Sequence, residues 1–210
     1  MSKTKFNFIS KDWKRVKNHS RTTVGKQFTE NEPSEEFMTK MAISEHSPIR
    51  LLEIDWSWPS IPYWVSTEWS RHKFEKFITS QRNDRQQNYD RNAARQDVPV
   101  TFDGFANLQN LIDSWRKRLC YKATKEAREL AEDFKLSLET EDKNMAHVLV
   151  PNGLYRFGCP EFMPCGFFQH FIEAAKQDGI SIEQLSDIKV RYDFYMKMLK
   201  FMKTPKATEG

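Results

Sequence analysis

Two short basic clusters in this 210-residue chain carry residue types that bind anions. The first is Trp69-Ser70-Arg71-His72-Lys73, and the second is Ser80-Gln81-Arg82-Asn83-Asp84-Arg85. Arginine presents a planar fork of donors that meets a phosphate at two points, and serine adds a hydroxyl. Guanidinium forks and a hydroxyl at this density suit two phosphates better than one surface ion pair. The competing reading is a solvated charged face, because exposed charges need no function. On a helix, Arg71 and Glu75 would pair one turn apart.

Other chemistries lack their residues. The sequence holds no GxGxxG, no Walker loop and no HExxH. Thr23-Val24-Gly25-Lys26 is not a phosphate loop, because the preceding glycines are missing. His19, His46, His72, His147 and His170 are dispersed and give no metal spacing. Cys120, Cys159 and Cys165 are odd in number and widely spaced, unlike a disulfide framework, and Cys159 and Cys165 lack the short spacing of a zinc knuckle. No metal site is therefore expected. No apolar run reaches the ~18 residues that span a membrane, and the first 25 residues lack the apolar core of a leader, so a cytoplasmic protein is expected.

The elements that must position the clusters are legible in part. Leu52, Ile54, Trp56 and Trp58 alternate with Glu53, Asp55 and Ser57, the period of a half-buried strand. Ser47-Pro48 disfavours helical geometry and implies a turn before it. Tyr63 to Ser70 fits either a returning strand or the start of a helix. Phe74, Phe77 and Ile78 fall at i, i+3 and i+4, which predicts a short helix over 71–82. Residues 83–97 are almost wholly polar and read as a loop. Helices are expected over 34–41, with Ser34 as N-cap, and over 105–123, 125–138, 167–176 and 181–202. In the last of these Ile182, Leu185, Ile188, Tyr192, Tyr195 and Leu199 keep helical spacing.

The class is α+β, a small antiparallel sheet with several helices and no βαβ alternation. The expected organisation is a basic N-terminal arm over 1–32, a single domain over 33–203 with a helical insertion near 105–140, and a frayed tail over 204–210. A net charge of +4 suits an anionic ligand and also weak nucleic-acid contact. Sixteen phenylalanines and six tryptophans fit core packing, or platforms for flat rings.

Three ordered segments resemble the flavin-dependent thymidylate synthases. That family carries Arg-His-Arg, seven residues, then Ser, with an Arg two residues further on. Here Arg71-His72-Lys73 is followed by six residues and Ser80-Gln81-Arg82. Upstream, Ser47-Pro48 leads into the aromatic strand segment, as the family's Ser/Thr-Pro turn does. Downstream, Val150-Pro151, Tyr155 and His170-Phe171 follow in the family's order. His46-Ser47-Pro48-Ile49-Arg50 and Cys159-Pro160-Glu161 look like a divergent subgroup.

The resemblance implies an FAD-dependent enzyme that methylates dUMP to dTMP with methylenetetrahydrofolate and NADPH, acting as a homotetramer. By the same resemblance Arg71, His72, Lys73, Ser47 and His170 would bind FAD. Ser80, Gln81, Arg82 and His147 would bind the nucleotide, and Arg82 and Glu68 are the candidates for direct catalytic work. The chain departs from the family at several places. Leu51 stands where the family has a flavin-contacting His, His147 where it has Arg, and Glu68 where it has Gln. Ala175 falls where the family's pyrimidine-orienting Arg would stand, with Lys176 as the nearest cation. Glu accepts only, and so suits the amino group of cytosine better than the carbonyl of uracil. A relative acting on another pyrimidine nucleotide such as dCMP, or a non-enzymatic nucleic-acid-binding homologue, is the alternative.

Overall fold

The computed structural model describes residues 3–203. In chain order the elements are β1 (Lys5–Ile9), α1 (Trp13–Thr22), α2 (Glu35–Ile43), a 3-10 turn (Ser47–Leu51), β2 (Glu53–Pro62), α3 (Tyr63–Trp69), β3 (Glu75–Ile78) and β4 (Pro99–Asn107). Helices follow: α4 (Leu108–Arg118), α5 (Lys125–Glu141), α6 (Lys143–His147), α7 (Asn152–Tyr155), α8 (Phe167–Gln177), α9 (Ile182–Ser186) and α10 (Ile188–Lys203). The class is α+β, as the pattern of the sequence implies. The chain divides into two compact units, one holding residues up to Met41 with Glu45–Ser114, the other holding Ala42–Ser44 with Trp115 onward. The expected tail over 204–210 lies outside the described residues.

The first unit is built on a four-stranded antiparallel sheet in the order β1-β2-β4-β3. Leu52, Ile54, Trp56 and Trp58 are fully buried, as their alternation requires. Trp58 packs between Trp69 and Phe102, with ring centroids 4.7 and 5.5 Å away. Trp56 lies over β4 at Gly104, its register partner, where an added Cβ would sit 2.3 Å from the indole. Within the segment expected as a basic arm, β1 joins the sheet and α1 buries Trp13 and Val16. Three basic residues of α1 are engaged locally: Lys14 pairs with Glu30, Lys17 donates to the carbonyls of Asn31 and Glu32, and Arg21 donates to the Gln27 carbonyl.

Three elements differ from expectation. Residues 71–82 are not a helix. α3 ends at Trp69, and Arg71 to Lys73 form a turn into β3, which pairs with β4. Period two wins because Phe74 is buried whereas Phe77 is 68% exposed, so the apparent i, i+3, i+4 face does not exist. Arg71 and Glu75 accordingly do not lie one helical turn apart. The helix expected from Phe105 begins only at Leu108, since Phe105 is still paired in β4. The expected helix over 181–202 breaks at Asp187. Its backbone is extended there, and its carboxylate accepts from the N–H groups of Lys189 and Val190 to start α10. Ile182 and Ile188 are consequently exposed, while Leu185, Tyr192, Tyr195 and Leu199 are buried.

The second unit is helical. α5 buries Ala127, Leu130, Ala131 and Phe134, the face its periodicity predicts, and Leu138 one turn further on. Trp115 packs on Phe134 at 4.4 Å and donates from Nε1 to the Ala131 carbonyl at 3.1 Å. Buried Arg191 of α10 donates to the carbonyls of Leu154 and Leu185, which ties α10 to α7 and α9. Among the described residues no helix is long and apolar enough to cross a membrane, and no group of His, Cys, Asp or Glu could hold a metal ion.

Candidate functional site

The Arg71-His72-Lys73 turn is fixed from both sides. α3 starts directly after Pro62, and its first N–H groups are satisfied from outside the helix: Tyr63 and Trp64 donate to the carbonyls of Val98 and Gln96. The helix ends where the His72 N–H donates to the Trp69 carbonyl at 3.1 Å. The His72 ring is buried between Trp69, at 5.7 Å, and Phe74, which it parallels at 6.3 Å. Lys76 of β3 donates to the His72 carbonyl at 2.7 Å. Arg71 and Lys73 are exposed on either side of this anchor. The result is two solvent-facing cations held by one buried ring.

Beside the turn lies a cavity of about 380 Å³. Its walls are Glu53, the stretch from His72 to Lys76, the β4 residues Phe105 to Asn107, and Asn110 of α4. Phe105 supplies flat apolar surface, while the Phe74 ring is buried against Trp56. Asn107 and Asn110 supply amides, Lys73 and Lys76 positive charge, and Glu53 and Glu75 negative charge. The Asn107 side chain also accepts from the Asn110 N–H, which starts α4 at the rim. This size falls in the range of small-molecule sites, and the lining is more polar than apolar.

Ser80, Gln81 and Arg82 open the 20-residue loop between β3 and β4, a length uncommon without function. Thr79 and Thr101 close its root through their backbones. Arg82 grips Asp84 with both edges of its fork, Nε to Oδ1 at 2.8 Å and Nη2 to Oδ2 at 2.6 Å. That grip holds the Asp84 carboxyl below the usual carboxylate range. Gln86 donates to the Ser80 carbonyl, and the Tyr89 hydroxyl donates to the Gln81 side chain.

The other residues singled out by sequence sit as follows. Ser47 is exposed at the first position of the 3-10 turn, over buried Pro48 and Ile49, and Leu51 ends that turn half-buried. Glu68 is half-buried on α3, three residues before Arg71. Ser47, Glu68 and both clusters thus belong to the first unit, and His147 and His170 to the second. His147 ends α6 and faces Asp193 at 2.9 Å, with Lys189 on the other carboxylate oxygen. Burial holds its ring below the ordinary histidine range against the pull of Asp193. Its Nδ1 is buried with no hydrogen-bond partner among the described residues. His170 is exposed on α8, 3.7 Å from Glu173. Ala175 is buried and Lys176 exposed on the same helix.

Sequence reasoning missed Glu53, Lys76, Phe105, Asn107 and Asn110, because they meet only once β4 pairs with both β2 and β3. The registers Glu53 to Asn107 and Glu75 to Phe105 bring them together. Asp84 belongs to the second basic cluster, whereas Gln86 and Tyr89 lie in the polar stretch, where residue type alone gives no signal.

This arrangement is the fold of the flavin-dependent thymidylate synthases. The Helicobacter pylori enzyme ThyX, complexed with FAD and dUMP, is similar with a TM-score of 0.60 at 12% identity, over 71% of this chain and 100% of its own. A second structure of that enzyme with FAD and dUMP gives 0.58 at 12% identity, over 71% and 97%. PolB, a UMP/dUMP methylase from Streptomyces cacaoi bound with 5-Br dUMP, gives 0.56 at 10% identity, over 69% and 93%. No family model matches the chain, and no curated protein matches its sequence.

Proposed function

We propose that the chain is a flavoenzyme that converts dUMP to dTMP, with FAD bound at the Arg71-His72-Lys73 turn. The observation that carries this reading is the pair of cationic segments at the two ends of β3. It occurs on a fold that binds FAD and dUMP in the Helicobacter pylori enzyme.

The residues present fit FAD. Arg71 and Lys73 are exposed cations suited to its phosphates. The adjoining cavity offers the exposed Phe105 to a flat ring, and Asn107 and Asn110 to its polar edge. Bound FAD would supply the hydride, drawn from NADPH, and methylenetetrahydrofolate the one-carbon group that joins carbon 5 of the pyrimidine.

The work of the chain itself is positioning and electrostatics. Ser80 and Arg82 hold the 5′-phosphate, with Gln81 beside them. Glu68 offers an acceptor to the pyrimidine edge. Ser47 completes the flavin contacts of the first unit, and His170 and His147 are the flavin and nucleotide candidates of the second. No cysteine nucleophile is required. Burial pushes the Cys120 thiol up, which disfavours its thiolate. A cytoplasmic homotetramer completes the reading.

The test is the absorbance of the purified protein from 300 to 500 nm, followed by titration of dUMP and dCMP into the flavin-loaded form. Flavin bands and tighter binding of dUMP are expected. Failure to bind added FAD refutes the reading, and tighter binding of dCMP moves the chain to a cytosine nucleotide.

A further inference from the structure

We infer that residues 83–91 form a strap that occupies the nucleotide-phosphate site in the free protein and must lift for nucleotide to bind. This rests on the assignment of Ser80, Gln81 and Arg82 to the nucleotide.

Arg82 is engaged through its fork, the group that would bind a phosphate, and Ser80 and Gln81 through acceptor oxygens, all from within the same segment. The Asp84 carboxylate fills the Arg82 fork at 2.8 and 2.6 Å, the two-point contact a phosphate would make. Gln86 donates to the Ser80 carbonyl, and Tyr89 donates to the Gln81 side chain. The Arg91 N–H donates to Asn83 Oδ1 at 3.0 Å, which closes the segment on itself. At the far end of the loop Arg95 chelates Asp97 with the same two-residue spacing, at 3.0 and 3.2 Å, yet this pair touches none of the three. The loop therefore holds one carboxylate–guanidinium chelate at the candidate site and a similar one away from it.

The energetic consequence follows from population. A ligand that binds only the open form has its affinity reduced by the fraction of molecules that are open. Both members of the Arg82–Asp84 pair are about 60% exposed, so the strap is weak. The reduction is about 3- to 10-fold, given a two-point ion pair and two further hydrogen bonds that break with it. The base of the nucleotide plays no part in this competition, so the factor is the same for dUMP and dCMP.

Asp84→Asn, Asp84→Ala and Tyr89→Phe each release one contact, and Asp97→Asn is the control. Titration of the flavin-loaded proteins with dUMP and with dCMP should show about 3- to 10-fold tighter binding for the Asp84 variants. A smaller gain is expected for Tyr89→Phe, which changes no charge, and none for Asp97→Asn. In the wild-type protein, dUMP should speed tryptic cleavage after Arg85 and Arg91. Wild-type binding with no gain in any Asp84 variant, an equal gain in Asp97→Asn, or slower cleavage with dUMP overturns the strap and leaves the nucleotide site standing. No nucleotide binding by any of the proteins overturns both.

Discussion

Replacing Lys135 by Met should remove a pH dependence of stability from the helical unit. Lys135 lies on α5 with its ammonium fully buried, donating to the Ala146 carbonyl of α6 at 2.6 Å and lying 5.5 Å from the Tyr195 ring. Burial pulls its pKa from 10.5 to about 7, with Glu139 opposing and Lys200 assisting. Glu139 and Lys200 pair with each other at 2.6 Å, so neither is dedicated to Lys135. In the folded protein the amine is neutral above about pH 7, whereas in the unfolded chain it stays charged up to 10.5. Between these values the unfolded state binds more protons, so stability rises with pH, by at most about 1.4 kcal/mol per unit. Above the window the buried amine costs little, and below it the full penalty is present. Summed across the window the change is at most about 5 kcal/mol.

Methionine fills a similar volume and carries no charge, and leaves the Ala146 carbonyl without its donor at a cost of ~1 kcal/mol. Lys135→Met should therefore be more stable than wild type at pH 6 by about 1–4 kcal/mol, and equal or slightly less stable at pH 10. Urea unfolding from pH 6 to 10, followed by tryptophan fluorescence, measures this directly. Trp115 lies against Phe134, the neighbour of Lys135 in sequence, and reports on the unit. A difference between the two proteins that does not change with pH would refute the reasoning, as would a variant less stable than wild type at pH 6.

Gly104→Ala places a Cβ 2.3 Å from the buried Trp56 indole, and should lower stability by about 1–3 kcal/mol; an unchanged melting temperature counts against the described packing. Arg71→Ala should weaken FAD binding ~10- to 100-fold by removing charge-assisted hydrogen bonds worth about 1.5–3 kcal/mol. The readout is flavin fluorescence quenching, and unaltered affinity returns Arg71 to the solvated surface. Arg82→Ala should weaken nucleotide binding and leave FAD binding nearly intact, so equal loss of both ligands would make the residue structural. Light scattering should give a homotetramer, and a monomer would count against that part of the proposed function.

Much of the fold is legible in the sequence wherever one face is buried and periodicity is unbroken. The β2 alternation and the α5 stripe are of this kind, and both bury the residues expected. The failures have one cause each. Around β3, three apolar residues are too few to distinguish period two from period 3.6. Only pairing with β4, distant in sequence, decides it. At residue 187 an aspartate side chain competes for backbone N–H groups and ends the periodicity of residues 181–202. In the first 32 residues, charge hid a strand and a helix, where Lys14 and Lys17 are bound to nearby carbonyls and carboxylates.

The candidate site divides along the same line. Arg71, His72, Lys73, Ser80 and Arg82 are recognisable by residue type and spacing, because guanidinium, ammonium and hydroxyl groups advertise anion chemistry. The surfaces that would receive a ring do not. Glu53, Phe105, Asn107 and Asn110 are ordinary residues of a strand end and a helix start. They become a wall only because β4 runs between β2 and β3, while Asn107 caps α4 at the same corner. β3 is a short edge strand. Its four residues separate the two cationic segments, so the turn before it and the loop after it leave opposite ends of one edge strand. At about 3.4 Å per residue, four residues rise about 14 Å along the strand. That spacing leaves room for a separate anionic group at each end, which is the arrangement the proposed function uses.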